Sequence, residues 1–265
     1  MKRFVKTVLA VGIATIVTQS YAATANKSTQ PNNPSISPAE RTKIEEVVHQ
    51  YLLRNPEVLI EVMQILQRKQ YDQTQQTVKQ TQQTAATFAN ALFHQTNDPI
   101  AGNPNGKVTV VEFFDYQCPH CIDMVPVMDS IIKANPDLRV VYKEFPIRGP
   151  VSEFAARAAL AANRQGKYNV FSHALLASTQ PLTQDSVMQI AKNTGLDVDK
   201  LKKDMDDSSI KNQLEATIKL AQGLKLFGTP ALFIGKTGTK GNDTINYVPG
   251  QTDQTQLQSM INKAK

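Results

Sequence analysis

The two cysteines of the sequence, Cys118 and Cys121, are separated only by Pro119 and His120. A thiol reacts as its thiolate, which the unpaired backbone N–H groups at the start of a helix stabilise. In a C-x-x-C pair the first sulfur is usually the exposed nucleophile, and the second lies one turn farther along the helix. We therefore expect Cys118 to attack and Cys121 to resolve the mixed disulfide, while Pro119 and His120 tune the pKa of Cys118.

Two other uses of a lone cysteine pair remain open. A zinc site would need two further ligands, and the histidines outside the motif, His49, His94 and His173, do not pair with a cysteine or with one another. The two thiols could also be inert and buried. A structural disulfide across so short a loop would constrain little of the unfolded chain. The pair thus favours redox chemistry, with no metal and no cofactor beyond its own disulfide.

The elements that must position the cysteines follow from the hydrophobic pattern. A β-branched and aromatic run at 108–114 predicts a buried strand, and apolar residues at helical spacing predict a helix over 118–134. Residues 138–145 then predict a second strand. A strand, a helix and a strand in about 40 residues form a βαβ unit.

The rest of the C-terminal part predicts helices followed by two strands. Residues 151–225 carry only helical patterns and indicate an all-helical insertion. Short strands are predicted at 231–234 and 245–248, with Gly241-Asn242 in the turn between them, and a last helix from about Asp253. The order predicts an α/β domain over 93–265, with a mixed central sheet and an inserted helical subdomain.

The N-terminus has the pattern of an export signal. Lys2, Arg3 and Lys6 precede an apolar stretch that is too short to span a bilayer, and a small-x-small site predicts cleavage after Ala22. Residues 1–22 are therefore interpreted as a signal peptide and the polar residues 23–36 as a flexible leader. Cleavage removes three basic residues and no acidic ones, which lowers the formal charge from +6 to +3. We expect a periplasmic protein, with the cell surface as the alternative, and no nucleic-acid partner.

Residues 37–92 predict a separate helical segment. Ser37, Pro38 and Glu40 form a capping signal for a helix that ends near Arg54. A second helix carries a broad apolar stripe over 59–66, which favours burial against a second copy of the chain. The glutamine-rich continuation predicts a polar stalk rather than a core element, with a thin seam of apolar residues seven apart. The seam comprises Tyr71, Val78, Ala85 and Leu92. Docking of residues 37–92 onto their own catalytic domain is the alternative to a homodimer.

The segment from Phe113 to Cys121 resembles the active site of bacterial DsbA-type thioredoxin-fold proteins. Three further positions are similar to that family's pattern: Glu112 at the place of its buried acid, Pro126 at its kink proline, and Thr229-Pro230 at its cis-proline loop. The resemblance covers residues 108–265. The helical insertion before the Thr-Pro loop is also similar to that family.

The resemblance implies a thioredoxin fold and a thiol-disulfide oxidoreductase that forms or isomerises disulfides in exported proteins, with helical modules that hold two copies together. It implies that Glu112 exchanges a proton with Cys121, and that Thr229 beside a cis Pro230 presents its backbone to an extended substrate. Glu112 as a structural acid and Thr229-Pro230 as an ordinary turn stay open. Expected partners are reduced or misoxidised exported proteins and an integral-membrane thiol oxidase or reductase. A non-catalytic binding protein on the same scaffold is the alternative function.

Overall fold

The computed structural model describes residues 36–241 and 243–265. The predicted signal peptide, all but the last residue of the predicted leader, and Asn242 lie outside the described residues. The chain divides into two compact units between Val62 and Met63. Among the described helices, none combines the length and the apolar character needed to cross a membrane.

The N-terminal unit begins with helix α1, Pro38–Arg54. The predicted capping box is confirmed, because the Ser37 hydroxyl accepts a hydrogen bond from the Glu40 N–H and the Glu40 carboxylate accepts one from the Ser37 N–H. α1 buries none of its residues. The apolar side chains of α1 and of the first turns of the next helix are exposed; they are Ile44, Val47, Val48, Tyr51, Leu53, Leu59, Ile60, Val62, Met63, Ile65 and Leu66.

The predicted stalk does not extend to residue 92. Helix α2, Glu57–Thr84, is followed by a 3-10 turn, Ala85–Phe88, and by the short helix α3, Ala89–Phe93. Ala85 and Leu92 of the predicted seam are buried in the core of the second unit, and Val78 packs against that core. Ala85 and Leu92 therefore contribute to that core rather than to a polar stalk, because their small and apolar side chains pack against the sheet.

Within the described residues, five strands form one mixed sheet with the order β1-β3-β2-β4-β5. The strands are β1 Ile100–Gly102, β2 Val108–Phe114, β3 Leu138–Glu144, β4 Ala231–Lys236 and β5 Asn246–Pro249. β2 runs parallel to β3, and the other pairs are antiparallel. All residues of β2 are buried, as expected for a central strand. β1 precedes the predicted strand at 108–114 and was not predicted, because its three residues are too few to show a periodic pattern.

The predicted helical insertion and the mixed sheet are confirmed. The helices described after β2 are α4 Pro119–Ala134, α5 Pro150–Asn163, α6 Tyr168–Leu176, α7 Gln184–Asn193, α8 Val198–Met205, α9 Ser208–Gly223 and α10 Gln254–Lys263. Helices α4 and α10 cover one face of the sheet, and α3 and α9 cover the other. Both faces are thereby buried, and the C-terminal end of β2 delivers the chain directly to the start of α4.

Candidate active site

Cys118 occupies the N-cap of α4, and Pro119 takes the first helical position. The N–H groups of Cys121 and Ile122 bond to the Cys118 carbonyl, at 3.0 and 3.1 Å. Proline suits the first helical position because the N–H that it lacks would have no partner inside the helix. The Cys118 sulfur therefore lies at the positive end of the helix dipole.

The structure corrects the expectation of an exposed first sulfur. Both cysteines are free thiols, and Cys118 is only 1% exposed, against 2% for Cys121. The Cys118 thiol donates a hydrogen bond to the Thr229 carbonyl, with 3.2 Å between sulfur and oxygen. The loop before β4 thus covers the sulfur from a position more than a hundred residues away in the sequence.

The two thiols differ in how readily they ionise. Burial raises the pKa of Cys118, but the Thr229 side chain and the backbone N–H groups of Cys121 and His120 outweigh burial and lower it below its ordinary value. Burial raises the pKa of Cys121 far above its ordinary value, and the Glu112 carboxylate raises it further. At neutral pH the first thiol is the better thiolate and the better leaving group, while the second retains its proton.

The Thr229-Pro230 peptide bond is cis, as the family pattern implies. The Pro230 carbonyl accepts a hydrogen bond from the Gly250 N–H at 2.8 Å, which ties the loop to the end of β5. The Thr229 hydroxyl oxygen is buried and, among the described residues, has no hydrogen-bond partner. This hydroxyl is therefore free to donate to a thiolate.

The His120 side chain points to a residue that the sequence did not indicate. His120 is exposed, and its Nδ1 lies 3.1 Å from Gln251 Oε1 in the loop after β5. The His120 backbone N–H thus helps to lower the pKa of Cys118, whereas the His120 ring, which we expected to tune that pKa, contacts Gln251.

Glu112 lies on β2 and lines a cavity of about 100 Å³ together with Cys121. Burial raises the pKa of Glu112 to about 8, so the carboxyl holds a proton at neutral pH. Asp129 and His173 line the same cavity, and His173 Nε2 lies 3.0 Å from Asp129 Oδ2. Because both are exposed and the cavity exceeds the ~15 Å³ that a water molecule needs, the cavity offers a wet route between Cys121 and solvent.

Two further residues contact the site without a signal in the sequence. Arg148, in the loop between β3 and α5, places Nη2 3.9 Å from Cys118 Sγ. Asp115 is buried and its carboxylate accepts from the Gln117 N–H at 2.7 Å and from the Arg148 N–H at 2.9 Å. Asp115 stands beside the motif, but one of its partners, Arg148, lies 33 residues away, so only the folded chain shows what it does.

The structure does not bring the remaining histidines to the cysteines as a zinc site would require. His94 Nε2 lies 2.9 Å from the Thr239 carbonyl, and His49 is exposed on α1. Within residues 36–241 and 243–265, no group of three or more His, Cys, Asp or Glu side chains is placed to hold a metal ion.

Two family models match separate parts of the chain. The model described as "DSBA-like thioredoxin domain" matches residues 109–262, which include the cysteine pair and the Thr-Pro loop. The model of the copper resistance protein ScsC N-terminal domain matches residues 40–73, which cover most of α1 and the first half of α2. The two matches thus cover both the redox site and the N-terminal helices.

The chain is similar to solved structures over nearly their whole length, and to curated sequences over only part of theirs. A thioredoxin-like oxidoreductase from Silicibacter pomeroyi is 40% identical, with a TM-score of 0.61, and the match covers 66% of this chain and 96% of that one. BcfH of Salmonella enterica Typhimurium is 33% identical, with a TM-score of 0.63, over 85% of this chain and 96% of its own. The sequence is also 27% identical over 139 residues to the Na⁺/H⁺ antiporter NhaA 3 of Salinispora tropica, a match over 52% of this chain. The matched part spans only 21% of that curated relative.

Proposed function

The chain belongs to the DSBA-like thioredoxin domain family of thiol-disulfide oxidoreductases, and we propose that it forms or isomerises disulfide bonds in exported proteins. One observation carries this proposal. Cys118 caps α4 with a lowered pKa and faces the carbonyl of a cis-proline loop, one helical turn from a second thiol with a raised pKa.

Disulfide donation would proceed in two exchanges. A substrate thiolate attacks Cys118 Sγ of the oxidised pair, which forms a mixed disulfide and releases Cys121, and Cys121 takes up a proton. A second thiolate of the substrate attacks the substrate sulfur of the mixed disulfide and releases Cys118 as a thiolate. Two electrons pass from the substrate thiols to the cysteine pair. In isomerisation, the Cys118 thiolate attacks a substrate disulfide, which forms a mixed disulfide and releases one substrate thiolate. A different substrate thiolate then attacks the substrate sulfur of the mixed disulfide, which forms a new disulfide and releases Cys118 as a thiolate, without net oxidation.

Glu112 would supply the proton that Cys121 needs. The carboxyl is protonated at neutral pH because its pKa is about 8, and it lines the same cavity as Cys121. After Glu112 gives up its proton, water in the cavity can restore it. In the reverse direction, the Glu112 carboxylate would accept the Cys121 proton when the disulfide forms again.

Thr229 and Pro230 would bind the substrate chain. Proline has no N–H, and the carbonyl of the preceding Thr229 already points at Cys118. An extended substrate segment that pairs with the Thr229 backbone would therefore bring its own sulfur next to Cys118. Exposed apolar side chains on the loops and helix around the site, Ile122, Ile147 and Phe227, add a surface suited to an unfolded chain.

The central experiment mixes the oxidised protein with a reduced, unfolded protein that has two cysteines and follows substrate thiols over time. Disulfide formation should be stoichiometric, and Cys118→Ser should abolish it. Cys121→Ala cannot form the Cys118–Cys121 disulfide, so it is mixed instead with a substrate that carries a disulfide. The Cys118 thiolate should attack that disulfide and release one substrate thiolate, and the mixed disulfide should accumulate because the protein has no second thiol to release it. If Cys118→Ser retains every measurable property of the protein, a binding role on a thioredoxin scaffold replaces catalysis.

The predicted signal peptide supports a periplasmic location, where an integral-membrane thiol oxidase or reductase would reset the pair. Alkylation of the thiols in intact cells separates the two activities. A mainly oxidised Cys118–Cys121 pair indicates donation and an oxidase partner, and a mainly reduced pair indicates isomerisation and a reductase partner.

The N-terminal helices would hold copies of the chain together. Their apolar side chains are half or more exposed at many positions, among them Leu59 at 51% and Met63 at 60%. That much apolar surface is typical of an interface rather than of a solvated helix. Self-association, expected to give a dimer, would bury it and hold two active sites within one particle.

Light scattering of the mature protein tests this assembly. Replacing Leu59 and Met63 together with serine should lower the number of copies, while the matched pair Gln64→Ser and Arg68→Ser, exposed at the same spacing on α2, should not. A mature protein that is monomeric at micromolar concentration would exclude self-association and leave the redox function intact.

A further inference from the structure

Arg148 is the cationic side chain that reaches the reactive sulfur. It lies in the loop between β3 and α5, 30 residues after Cys118, and its Nη2 approaches Cys118 Sγ to 3.9 Å. The Arg148 residue is exposed, whereas the sulfur is buried. A guanidinium keeps its charge at any pH at which a thiol titrates, so this contact favours the thiolate of Cys118 over its thiol.

The loop that carries Arg148 is held by the residues that precede Cys118. The Asp115 carboxylate accepts from the backbone N–H groups of Gln117 and Arg148 and, at 2.7 Å, from the Ser152 hydroxyl. The Gln117 side chain donates to Ser152 Oγ at 2.8 Å and to the Arg148 carbonyl at 3.4 Å. One buried carboxylate and one amide thus join the segment before the nucleophile to the loop that brings the cation.

A left-handed glycine completes the turn. Gly149 has a φ of +100° and precedes Pro150 at the first turn of α5. A side chain at Gly149 would be strained in this conformation. The Arg148 N–H and carbonyl are both hydrogen-bonded, to Asp115 and Gln117, so the guanidinium has a defined starting point beside the sulfur.

The other ionisable groups around the cysteines do not duplicate this contact. The His120 ring bonds to Gln251, the Asp115 carboxylate is occupied by three donors, and the Glu112 carboxyl acts mainly on Cys121.

We propose that Arg148 is a catalytic residue that stabilises the Cys118 thiolate, both when it attacks a substrate disulfide and when it leaves the mixed disulfide, with Asp115 and Gln117 as its positioning residues. This inference rests on the proposed function. In the donation reaction, the Cys118–substrate bond breaks in the second exchange, and its electron pair stays on the sulfur that Arg148 faces. The guanidinium thereby also favours the reduced pair over its disulfide.

The test compares Arg148→Gln with Arg148→Lys in the full-length mature protein. Thiolate absorbance followed against pH, and the equilibrium of the cysteine pair with glutathione, give two readouts that a purely structural role would not move. Loss of one charge near a covered sulfur should lower the ratio of thiolate to thiol in Arg148→Gln by about three- to tenfold. The glutathione equilibrium should move toward the disulfide by the same factor. Arg148→Lys should retain part of the effect, and added salt should shrink the difference from the wild type.

Two further variants serve as controls, one for the net charge of the protein and one for the positioning of Arg148. Lys236→Gln removes an exposed cation at the far end of β4, five residues or about 16 Å from Ala231, and should match the wild type. Gln117→Ala keeps Arg148 but loosens its loop, and should shift the thiol titration in the same direction by a smaller factor.

An Arg148→Gln protein that titrates like an active wild type would overturn the role of Arg148 and leave the proposed function standing. If Lys236→Gln shifted the titration of Cys118 by the same factor, the effect would come from the net charge of the protein and not from the contact between Arg148 and Cys118. A wild-type protein with an ordinary Cys118 titration and no disulfide transfer would instead remove the proposed function itself.

Discussion

The two faces of the central sheet bury charged residues in opposite ways. On the face covered by α3 and α9, Lys143 forms a buried ion pair with Asp98 and donates to the Ala91 carbonyl at 2.8 Å, and Arg139 donates to the Phe93 carbonyl at 2.7 Å. On the face covered by α4 and α10, burial raises the pKa of Glu112 and of Glu144 to about 8. Charges on the first face are paired. On the second face, the pKa values of the two acids lie close to neutral pH.

The two faces therefore differ in role, because the paired charges on the first face hold the fold together and Glu112 on the second face can transfer a proton. The cations bind carbonyl groups at the end of α3, where the helix dipole is negative, and so attach residues 91–98 to the sheet. Glu112 lines the cavity beside Cys121, and a carboxyl that titrates near neutral pH is suited to proton transfer. Buried charge that is neutralised by partners thus stabilises the fold, and a buried acid with a raised pKa marks the site where it also lines the cavity beside Cys121, as Glu112 does.

The largest expected effect comes from the paired face. Lys143→Met leaves the Asp98 carboxylate buried without its cation, which should lower the free energy of unfolding by about 3 to 5 kcal/mol. Urea unfolding measures the loss. The double variant with Asp98→Asn should recover part of it, because no charge then remains buried. If the folded single variant also loses disulfide exchange, the separation of the two faces is wrong.

The next effect comes from the cavity side. The ordinary pKa of a glutamate is 4.5 and that of folded Glu112 is about 8, so the folded state binds the proton more tightly. Wild-type stability should therefore fall as the pH rises from 4.5 to 8. Glu112→Gln should be spared the part of this loss that Glu112 causes and should keep the part that Glu144 causes, because the pKa of Glu144 is also raised to about 8. At pH 7 the variant should be more stable by up to about 3 kcal/mol and slower in exchange by about 10- to 100-fold. Unfolding measured at pH 4.5 and pH 7 tests the stability difference, and rates of disulfide exchange test the slowing. A stability difference that is independent of pH would contradict the raised pKa.

Glu144→Gln is the matched control for Glu112. Glu144 is on the same face with a similarly raised pKa, but its carboxylate accepts from the Tyr116 and Tyr168 hydroxyls, at 2.9 and 2.7 Å. Because Glu144 does not line the cavity beside Cys121, its substitution should change exchange by less than about twofold. Equal slowing in the two variants would show that any buried acid on this face matters, rather than the one beside the resolving thiol.

The smallest effect is expected at the mouth of the cavity. His173 and Asp129 form an exposed pair, and exposed ion pairs contribute about 0 to 1 kcal/mol. His173→Ala should thus leave unfolding almost unchanged and alter exchange at neutral pH by less than about twofold, since water alone can reach Glu112. Stopped-flow exchange measured across pH 6 to 8 checks this, and a loss as large as that of Glu112→Gln would make the histidine an obligatory relay.

Much of the fold could be predicted from local patterns. The strand at 108–114, the helix that starts at the cysteines, the capping box of Ser37 and the helices of the insertion were all found where the sequence indicated them. These features depend on neighbours a few residues apart, since capping and hydrophobic periodicity are short-range effects. The three-residue β1 and the core position of Ala85 and Leu92 were not predicted, because strand pairing and burial depend on distant partners.

The sequence by itself determined which atoms can react: two thiols at a junction of strand and helix, an acid on the preceding strand, and a Thr-Pro loop similar to that of a known family. Only the tertiary structure decided how those atoms are tuned. It covered Cys118 with the Thr229 carbonyl, turned the His120 ring toward Gln251, and brought Arg148 to the sulfur. The physical reason is that a pKa depends on burial and on charges within a few ångströms. The backbone N–H groups that act on Cys118 are local, but Arg148 and Thr229 come from segments 30 and 111 residues away in the chain.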